Sequence, residues 1–405
     1  MKFAHLADCH VGGWRDPLLT ELSIEAFEQA INIIFKEEVD FIVIAGDLFN
    51  TSLPGIDKIK RVAAKFKQLK DAHIPIYFIA GSHDYSPSGK TMLDVLEHAG
   101  LARNVSKAKE ENGKLCLQFT QDPKTGVKLA GILGRMGSLD KGYYQELNRE
   151  QLESEPGEKI FLFHALLSEL KPKELENVDT HPLSLLPKGF NYYAGGHPHF
   201  VFCQPMKEHG IVAYTGPLFP NSFSELEELG HGGFFIVEDW KPRRIDVKLK
   251  DVEKIKIDAE GKDSHAVAQQ LEELLEEGNF QDKIVLIRME GMLAEGKPSD
   301  IDLRKCSQVL KDKGAFCILR NTAALTSKEF AEIKVDLRHV QDIEDSLIRE
   351  HLREERVNGQ EARKLAVSLM SVLDAQRMEG ERVADFEARL TEEIKKVISS
   401  HMPSE

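Results

Sequence analysis

Six short apolar runs, most of them closing on glycine, aspartate or histidine, constrain this chain more than any other feature. They are FAHLAD (3–8), DFIVIAGD (40–47), IPIYFIAG (74–81), KIFLFHAL (159–166), NYYAGGH (191–197) and IVAYTG (211–216). Runs this short, rich in β-branched and aromatic residues and bounded by Gly or polar residues, read as buried strands. Helical patterns lie between the early ones, at 23–38, 55–72 and 88–100. Ile24, Phe27, Ile31, Ile34 and Phe35 share one face of the first helix, and Ile59, Val62, Ala63 and Phe66 one face of the second. Strand–helix alternation predicts an α/β core. LCLQF (115–119) and VKLAGIL (127–133) read as a hairpin inserted in it.

The pattern changes near residue 240. WKPRRIDVKLKDVEKIKID (240–258) is basic and alternating, so it reads as strand. A helix (264–277), a strand (283–290), a helix (300–313) and a strand (315–321) follow, enough for a small β-α-β-α-β unit. The acidic tail carries three helical stripes: Ile343, Leu347, Ile348 and Leu352; Leu365, Ala366, Leu369, Met370 and Leu373; Phe386, Leu390, Ile394, Val397 and Ile398. Turn signals stand at Asn358-Gly359 and Gly380. These shifts divide the chain into 1–240, 241–330 and 331–405.

Composition removes several classes. Hydrophobic residues make up 41% and charged residues 30%, which excludes collagen-like and wholly disordered chains. No run approaches the ~20 apolar residues of a membrane span, and the first residues lack the apolar core of a secretory signal. Cys9, Cys116, Cys203, Cys306 and Cys317 are odd in number and widely spaced. That disfavours a disulfide framework and predicts a cytoplasmic location. A net charge of −14 argues against coating nucleic acid through bulk charge. It leaves room for an enzyme that grips phosphates with metal ions or with a local patch such as Lys241, Arg243, Arg244, Lys248, Lys250, Lys254 and Lys256. The alternative for that patch is a strand edge guarded by charge.

The chemistry gathers where the apolar runs end. The first runs into Asp8-Cys9-His10, the second into Gly46-Asp47, and the third into Ser82-His83-Asp84. His164 lies near the end of the fourth, and the fifth leads into Gly196-His197-Pro198-His199. Loops at the carboxyl ends of strands are where α/β folds build sites. Mixed Asp and His donors suit Mn²⁺, Fe²⁺ or Zn²⁺ better than the oxygen-only cages of Mg²⁺ and Ca²⁺. Asp47, at the tip of the most hydrophobic strand, is the natural carboxylate to bridge two ions. A lone Asp-x-His carries almost no information, and His98, His181, His209, His265, His339, His351 and His401 read as ordinary structural or surface histidines. The ordered series of five loops is what sets the others apart.

That ordered series resembles the calcineurin-like metallophosphoesterase superfamily. Within it, MKFAHLADCHVGG, the AGDLFNTS loop and YTGPLFPNSF resemble the SbcD nucleases, prokaryotic counterparts of the meiotic recombination eleven nuclease. The resemblance implies a metallophosphoesterase β-sandwich flanked by helices, a small α/β capping domain over 241–330 and a helical tail. It implies two divalent ions, Mn²⁺ foremost. Asp8, His10, Asp47 and His199 would hold one, and Asp47, His164, His197 and Ser82 the other. The family has asparagine at the position of Ser82, so the second ion would be held more loosely. Many break-repair members have histidine where this chain has Asn50. Two ions about 3.5–4 Å apart make a nucleophile from water at neutral pH. His83 would protonate the leaving oxygen, with Asp84 holding it.

The resemblance further implies a DNA nuclease acting on double-strand ends. Its partners would be an ABC-type coiled-coil ATPase of the SbcC family, docked on the tail unless the tail's stripes close into a three-helix unit of their own, and a second copy of itself, met through the helices at 23–38 and 55–72 unless these are core helices. Two other functions stay open here: a nucleotidase or cyclic-nucleotide phosphodiesterase, and a DNA-end-binding scaffold with weakened catalysis. A phosphoprotein phosphatase is disfavoured, because the loop after Asp47 reads LFNTS without an Asp-Arg-Gly signature.

Overall fold

The computed structural model describes residues 1–86, 91–135, 140–173, 179–328 and 383–401, with a few single positions between 365 and 373. In chain order its first strands are β1 (Lys2–Leu6), β2 (Phe41–Ala45), β3 (Ile76–Ile79), β4 (Arg103–Asn104), β5 (Ala108–Glu111), β6 (Lys114–Leu117), β7 (Thr120–Gln121) and β8 (Lys128–Gly131). They continue with β9 (Lys159–His164), β10 (Tyr192–Gly196), β11 (Val201–Pro205), β12 (Ile211–Thr215), β13 (Gly232–Glu238), β14 (Lys241–Val247), β15 (Val252–Asp258), β16 (Ile284–Leu293) and β17 (Cys317–Ser327). The helices that matter below are α1 (Pro17–Glu37), α2 (Ile56–Asp71), α3 (Met92–His98), α4 (Lys141–Glu146), α5 (Arg149–Ser154), α6 (Phe223–Leu229), α7 (Ser264–Glu277), α8 (Leu303–Asp312) and α9 (Val383–His401).

Two six-stranded sheets make a sandwich, in the orders β14-β13-β1-β2-β3-β4 and β11-β12-β10-β9-β8-β7. The inner strands of each run parallel, β1 to β4 in one and β8, β9, β10 and β12 in the other. Parallel strands covered on both faces need unbroken apolar sequence, and β2 is buried along its whole length. Phe3, Phe41, Val43, Tyr77, Leu129, Ile160, Leu162 and Tyr192 fill the space between the sheets. Phe27, Ile31 and Ile34 of α1 and Val62, Phe66 and Leu69 of α2 cover the outer face of the first sheet. Each such side chain contributes about 1.5–3 kcal/mol by leaving water. The apolar stripes of α1 and α2 are thus turned to the sheet.

The structure departs from the sequence reading at three places. Helix α1 begins at Pro17 rather than near Ser23, because Asp16 accepts from the Leu18 and Leu19 amides and Pro17 suits the first turn. Strand β6 does not pair with β8. It turns back on β5 through Asn112-Gly113, both at positive φ, the turn that favours tight hairpins, while β8 lies parallel to β9. The basic stretch 240–258 is two strands. Of these, β14 pairs with β13 in the first sheet, so that sheet runs past residue 240, and β15 opens the three-stranded sheet β15-β16-β17. Helices α7 and α8 pack on this small sheet through Val267, Leu271 and Leu310.

Met1–Leu325 forms one compact unit and Thr326–Glu405 a second. In the second unit α9 carries the third apolar stripe, with Phe386, Leu390, Ile394 and Val397 partly buried. The first stripe of the tail, Ala366 and Met370 of the second, and both turn signals lie outside the described residues. None of the described helices is long and apolar enough to cross a membrane. All five cysteines are free thiols.

Candidate metal centre

Every candidate side chain lies at the carboxyl end of a parallel inner strand. Asp8 and His10 follow β1, Asp47 follows β2, and Ser82, His83 and Asp84 follow β3. His164 ends β9, and His197 and His199 follow β10. Because both sheets of the sandwich present these ends together, residues far apart in sequence meet. Ligand atoms of Asp8, His10 and His199 lie within 4.8 Å of one another, as do those of Asp8, Asp47 and His164, and those of His10, Asp47 and His83. Asp8, His10, Asp47 and His164 are almost wholly buried.

Asp47 is the hub. Its Oδ2 lies 3.1 Å from His164 Nε2 and 3.8 Å from His10 Nε2, and accepts from Ser82 Oγ at 3.3 Å. Its Oδ1 accepts from the His83 amide at 2.7 Å. His197 joins through its amide, which donates to Asp8 at 2.9 Å, and its ring lies 5.1 Å from that of His164. The backbone is held taut to achieve this. Asp8, His10, Asp47, His197 and His199 all adopt positive φ, a conformation that costs a non-glycine residue about 1–3 kcal/mol. Such strain concentrates where surrounding structure fixes a functional geometry. Gly46 and Gly81 make room: a Cβ on Gly46 would stand 2.3 Å from His164 Nδ1, and one on Gly81 2.2 Å from Asp47 Oδ1.

The donor set fits divalent cations. His164 Nδ1 donates to the Ala45 carbonyl at 2.9 Å, which turns the Nε2 lone pair toward Asp47. That buried Nε2 faces the Asp47 carboxylate at 3.1 Å and has no other partner among the described residues. His199 Nδ1 donates to Glu225 at 3.1 Å, which leaves its Nε2, hydrogen-bonded to His10 Nε2 at 2.9 Å, as the nitrogen turned to the cluster. Lone pairs converging in a dry interior need a positive charge among them. With no metal ion, protons take that place. Burial works against a charge on His164, but Asp47 and Asp8 outweigh it and push its pKa up to about 10. His199 is likewise pushed up to about 9, by Glu225 and Asp8 against burial. Burial holds His10 and His197 down to about 3.

Asp84 does not reach the His83 ring. Its carboxylate accepts from the amides of Leu48, Phe49 and Gly81 at 3.0–3.1 Å and so clamps the β2 and β3 loops together. Burial and the charge of Asp47 push its pKa up to about 7. His83 bonds the Asn50 carbonyl instead. Glu225 was not legible as a site residue. Its sequence signal is Ser222-x-x-Glu225, a helix-start pattern, and the same carboxylate that serves the start of α6 also holds His199. The basic patch after residue 240 is largely neutralised. Arg243 pairs with Glu37, Arg244 with Asp246, Lys248 with Asp251, Lys250 with Asp282 and Lys256 with Glu227.

A cluster of carboxylates and imidazoles at the strand ends of an α/β sandwich, with one buried aspartate at its hub, defines a metal-dependent phosphoesterase. Residues 1–201 match the family of calcineurin-like phosphoesterases. That segment is a calcineurin-like phosphoesterase domain, and the resemblance drawn from its motifs is borne out. It is similar to the DNA double-strand break repair protein Mre11 of Archaeoglobus fulgidus, 24% identical over 86% of this chain and 80% of the relative. The proteins of the same name from Methanopyrus kandleri and Sulfurisphaera tokodaii are 29% and 33% identical, over 62% and 49% of this chain. There the match spans 57% and 49% of the relative's length.

Proposed function

We propose that the chain is a Mn²⁺-dependent DNA nuclease of double-strand-break repair that works with a coiled-coil ABC-type ATPase and as a homodimer. The observation that carries this reading is the convergence of Asp8, His10 and His164 on Asp47, with His199 beside Asp8 and His10. The names of the relatives favour DNA as the substrate. Asp8, His10, Asp47 and His199 would hold one divalent ion, and Asp47, Ser82, His164 and His197 the other. Bound there, the pair supplies Lewis acidity at phosphorus and a nucleophile at neutral pH. The chain's own part is positional. The Ala45 carbonyl and Glu225 fix the tautomers of His164 and His199, Asp84 locks the two loops, and exposed His83 stands ready to protonate the leaving oxygen. The test is cleavage of linear duplex DNA with Mn²⁺, with Mg²⁺ and with chelator, each with and without the ATPase. Hydrolysis of nucleotides or cyclic nucleotides with no cleavage of DNA would replace this reading with a small-molecule phosphodiesterase.

Two predictions belong to this proposal. Metal binding should release protons, because ligands bind metal only when unprotonated. His164 and His199 have raised pKa values, of about 10 and 9, so below pH 9 each proton must be displaced. Affinity should therefore rise with pH from 6 to 9. Calorimetry at pH 7 in two buffers of different ionisation enthalpy should find about two protons released per protein. Binding without proton release would take both histidines out of the ligand set. Second, Ser82→Asn should lower the Mn²⁺ concentration for half-maximal activity, since an amide oxygen reaches further than the Ser82 hydroxyl, now bonded to Asp47. An unchanged metal requirement would show that position 82 does not ligate.

A further inference from the structure

We infer that Asn50 and Asn221 form a strap that aims the His83 ring, making both of them positioning residues for proton delivery to the leaving group. The inference rests on the phosphodiesterase reading above and adds to it how the proton donor is held.

His83 is exposed at the mouth of the site, so no packed wall fixes its ring. Two contacts orient it. The ring meets the edge of His10, with centroids 4.8 Å apart, and Nδ1 lies 3.0 Å from the Asn50 main-chain oxygen. A carbonyl can only accept, so Nδ1 keeps a hydrogen; in the imidazolium form Nε2 carries the second, which passes to the leaving oxygen and leaves the neutral Nδ1–H ring behind. The aim of the ring therefore depends on where the Asn50 carbonyl sits. Asn50 is beyond Leu48 and Phe49, the last residues that Asp84 clamps, and the segment after it is exposed at Thr51, Leu53 and Gly55. What fixes Asn50 is its side chain, whose Oδ1 accepts from Asn221 Nδ2 at 3.1 Å.

Asn221, 171 residues further along the chain, is itself held on two sides. Its amide donates to Glu225 Oε2 at 2.7 Å, and its Oδ1 lies against Gly13, where a Cβ would approach to 2.2 Å. Glu225 Oε1 in turn holds His199. One hydrogen-bonded series thus runs from His199 through Glu225 and Asn221 to Asn50 and His83. Its two halves are separable: the link toward His199 uses the Asn221 main chain, whereas the link toward His83 uses its side chain. Trimming that side chain should disturb His83 and leave the metal-side half intact.

The test compares Asn221→Ala, Asn50→Ala and Asn50→Asp, the last keeping an acceptor of the same shape. Each is assayed with Mn²⁺ on a dinucleotide phosphodiester, whose alkoxide needs a proton to leave, and on bis(4-nitrophenyl) phosphate, whose phenolate does not. Proton transfer is worth about 10²–10⁴-fold. The two alanine variants should therefore lose about tenfold or more turnover on the dinucleotide relative to the nitrophenyl ester. Asn50→Asp should restore the ratio, and Mn²⁺ affinity by calorimetry should stay at the wild-type value. Histidine ¹⁵N spectra of the metal-free protein should show the bonded Nδ1–H of His83 in the wild type and its loss in both alanine variants. Parallel losses on the two substrates, or an unchanged His83 signal, would overturn the strap. Failure of the wild type on both substrates would instead overturn the phosphodiesterase reading, with the spectra still deciding the strap. Alanine variants on both sides of the contact keep the test open if one of them does not fold.

Discussion

Asp47→Asn is expected to abolish metal binding and lower phosphodiester hydrolysis by at least about 10³-fold. The substitution keeps the shape, so the contact with the His83 amide at 2.7 Å survives. It removes the charge that His164 and His10 face at 3.1 and 3.8 Å. No other carboxylate can replace it. Asp8 is committed to the His197 amide through both oxygens, and Asp84 to three amides of the flanking loops. The same charge holds His164 protonated when no metal is present, so in Asp47→Asn the His164 pKa should fall from about 10. NMR titration of the metal-free variant reads that fall directly. A variant that still binds two equivalents of Mn²⁺ and keeps a tenth of its turnover would remove Asp47 from the hub.

His83→Ala is expected to keep both metal equivalents and lose about 10²–10⁴-fold in turnover. The ring is exposed, and its Nδ1 is engaged by a carbonyl, not by a carboxylate of the cluster. One of its ring nitrogens nevertheless lies within 4.8 Å of ligand atoms of His10 and Asp47. The experiment therefore discriminates. Calorimetry that counts one Mn²⁺ fewer in His83→Ala would make it a ligand, and would explain a loss of activity without any proton transfer.

The sequence by itself determined the architecture of the core and the cast of the candidate metal centre, because both are written in local patterns. A buried parallel strand must be an unbroken apolar run, so β1, β2, β3, β9, β10 and β12 are visible one at a time. Each candidate loop begins where such a run stops, so the ordered series of run ends singles out Asp8, His10, Asp47, His164, His197 and His199, and the family resemblance gives them ligand roles. Local pattern also held signals that went unused: Asp16-Pro17 starts α1, and Asn112-Gly113 turns β5 into β6.

Tertiary structure alone decided how the members of that cast are held. Asp84 lies next to His83 in sequence, yet bonds the loop 35–36 residues away. Glu225 supports His199 only because α6 is brought beside the β10 loop, and Asn221 meets Asn50 only across the sandwich. The lysines and arginines after residue 240 look like a phosphate track until Glu37, Glu227 and Asp282 arrive from distant segments to neutralise them. A side chain's type and its neighbours in the chain reveal what chemistry it can do. Its partner in a hydrogen bond or ion pair is set by distances of about 3–4 Å between segments whose separation along the chain carries no trace of that approach.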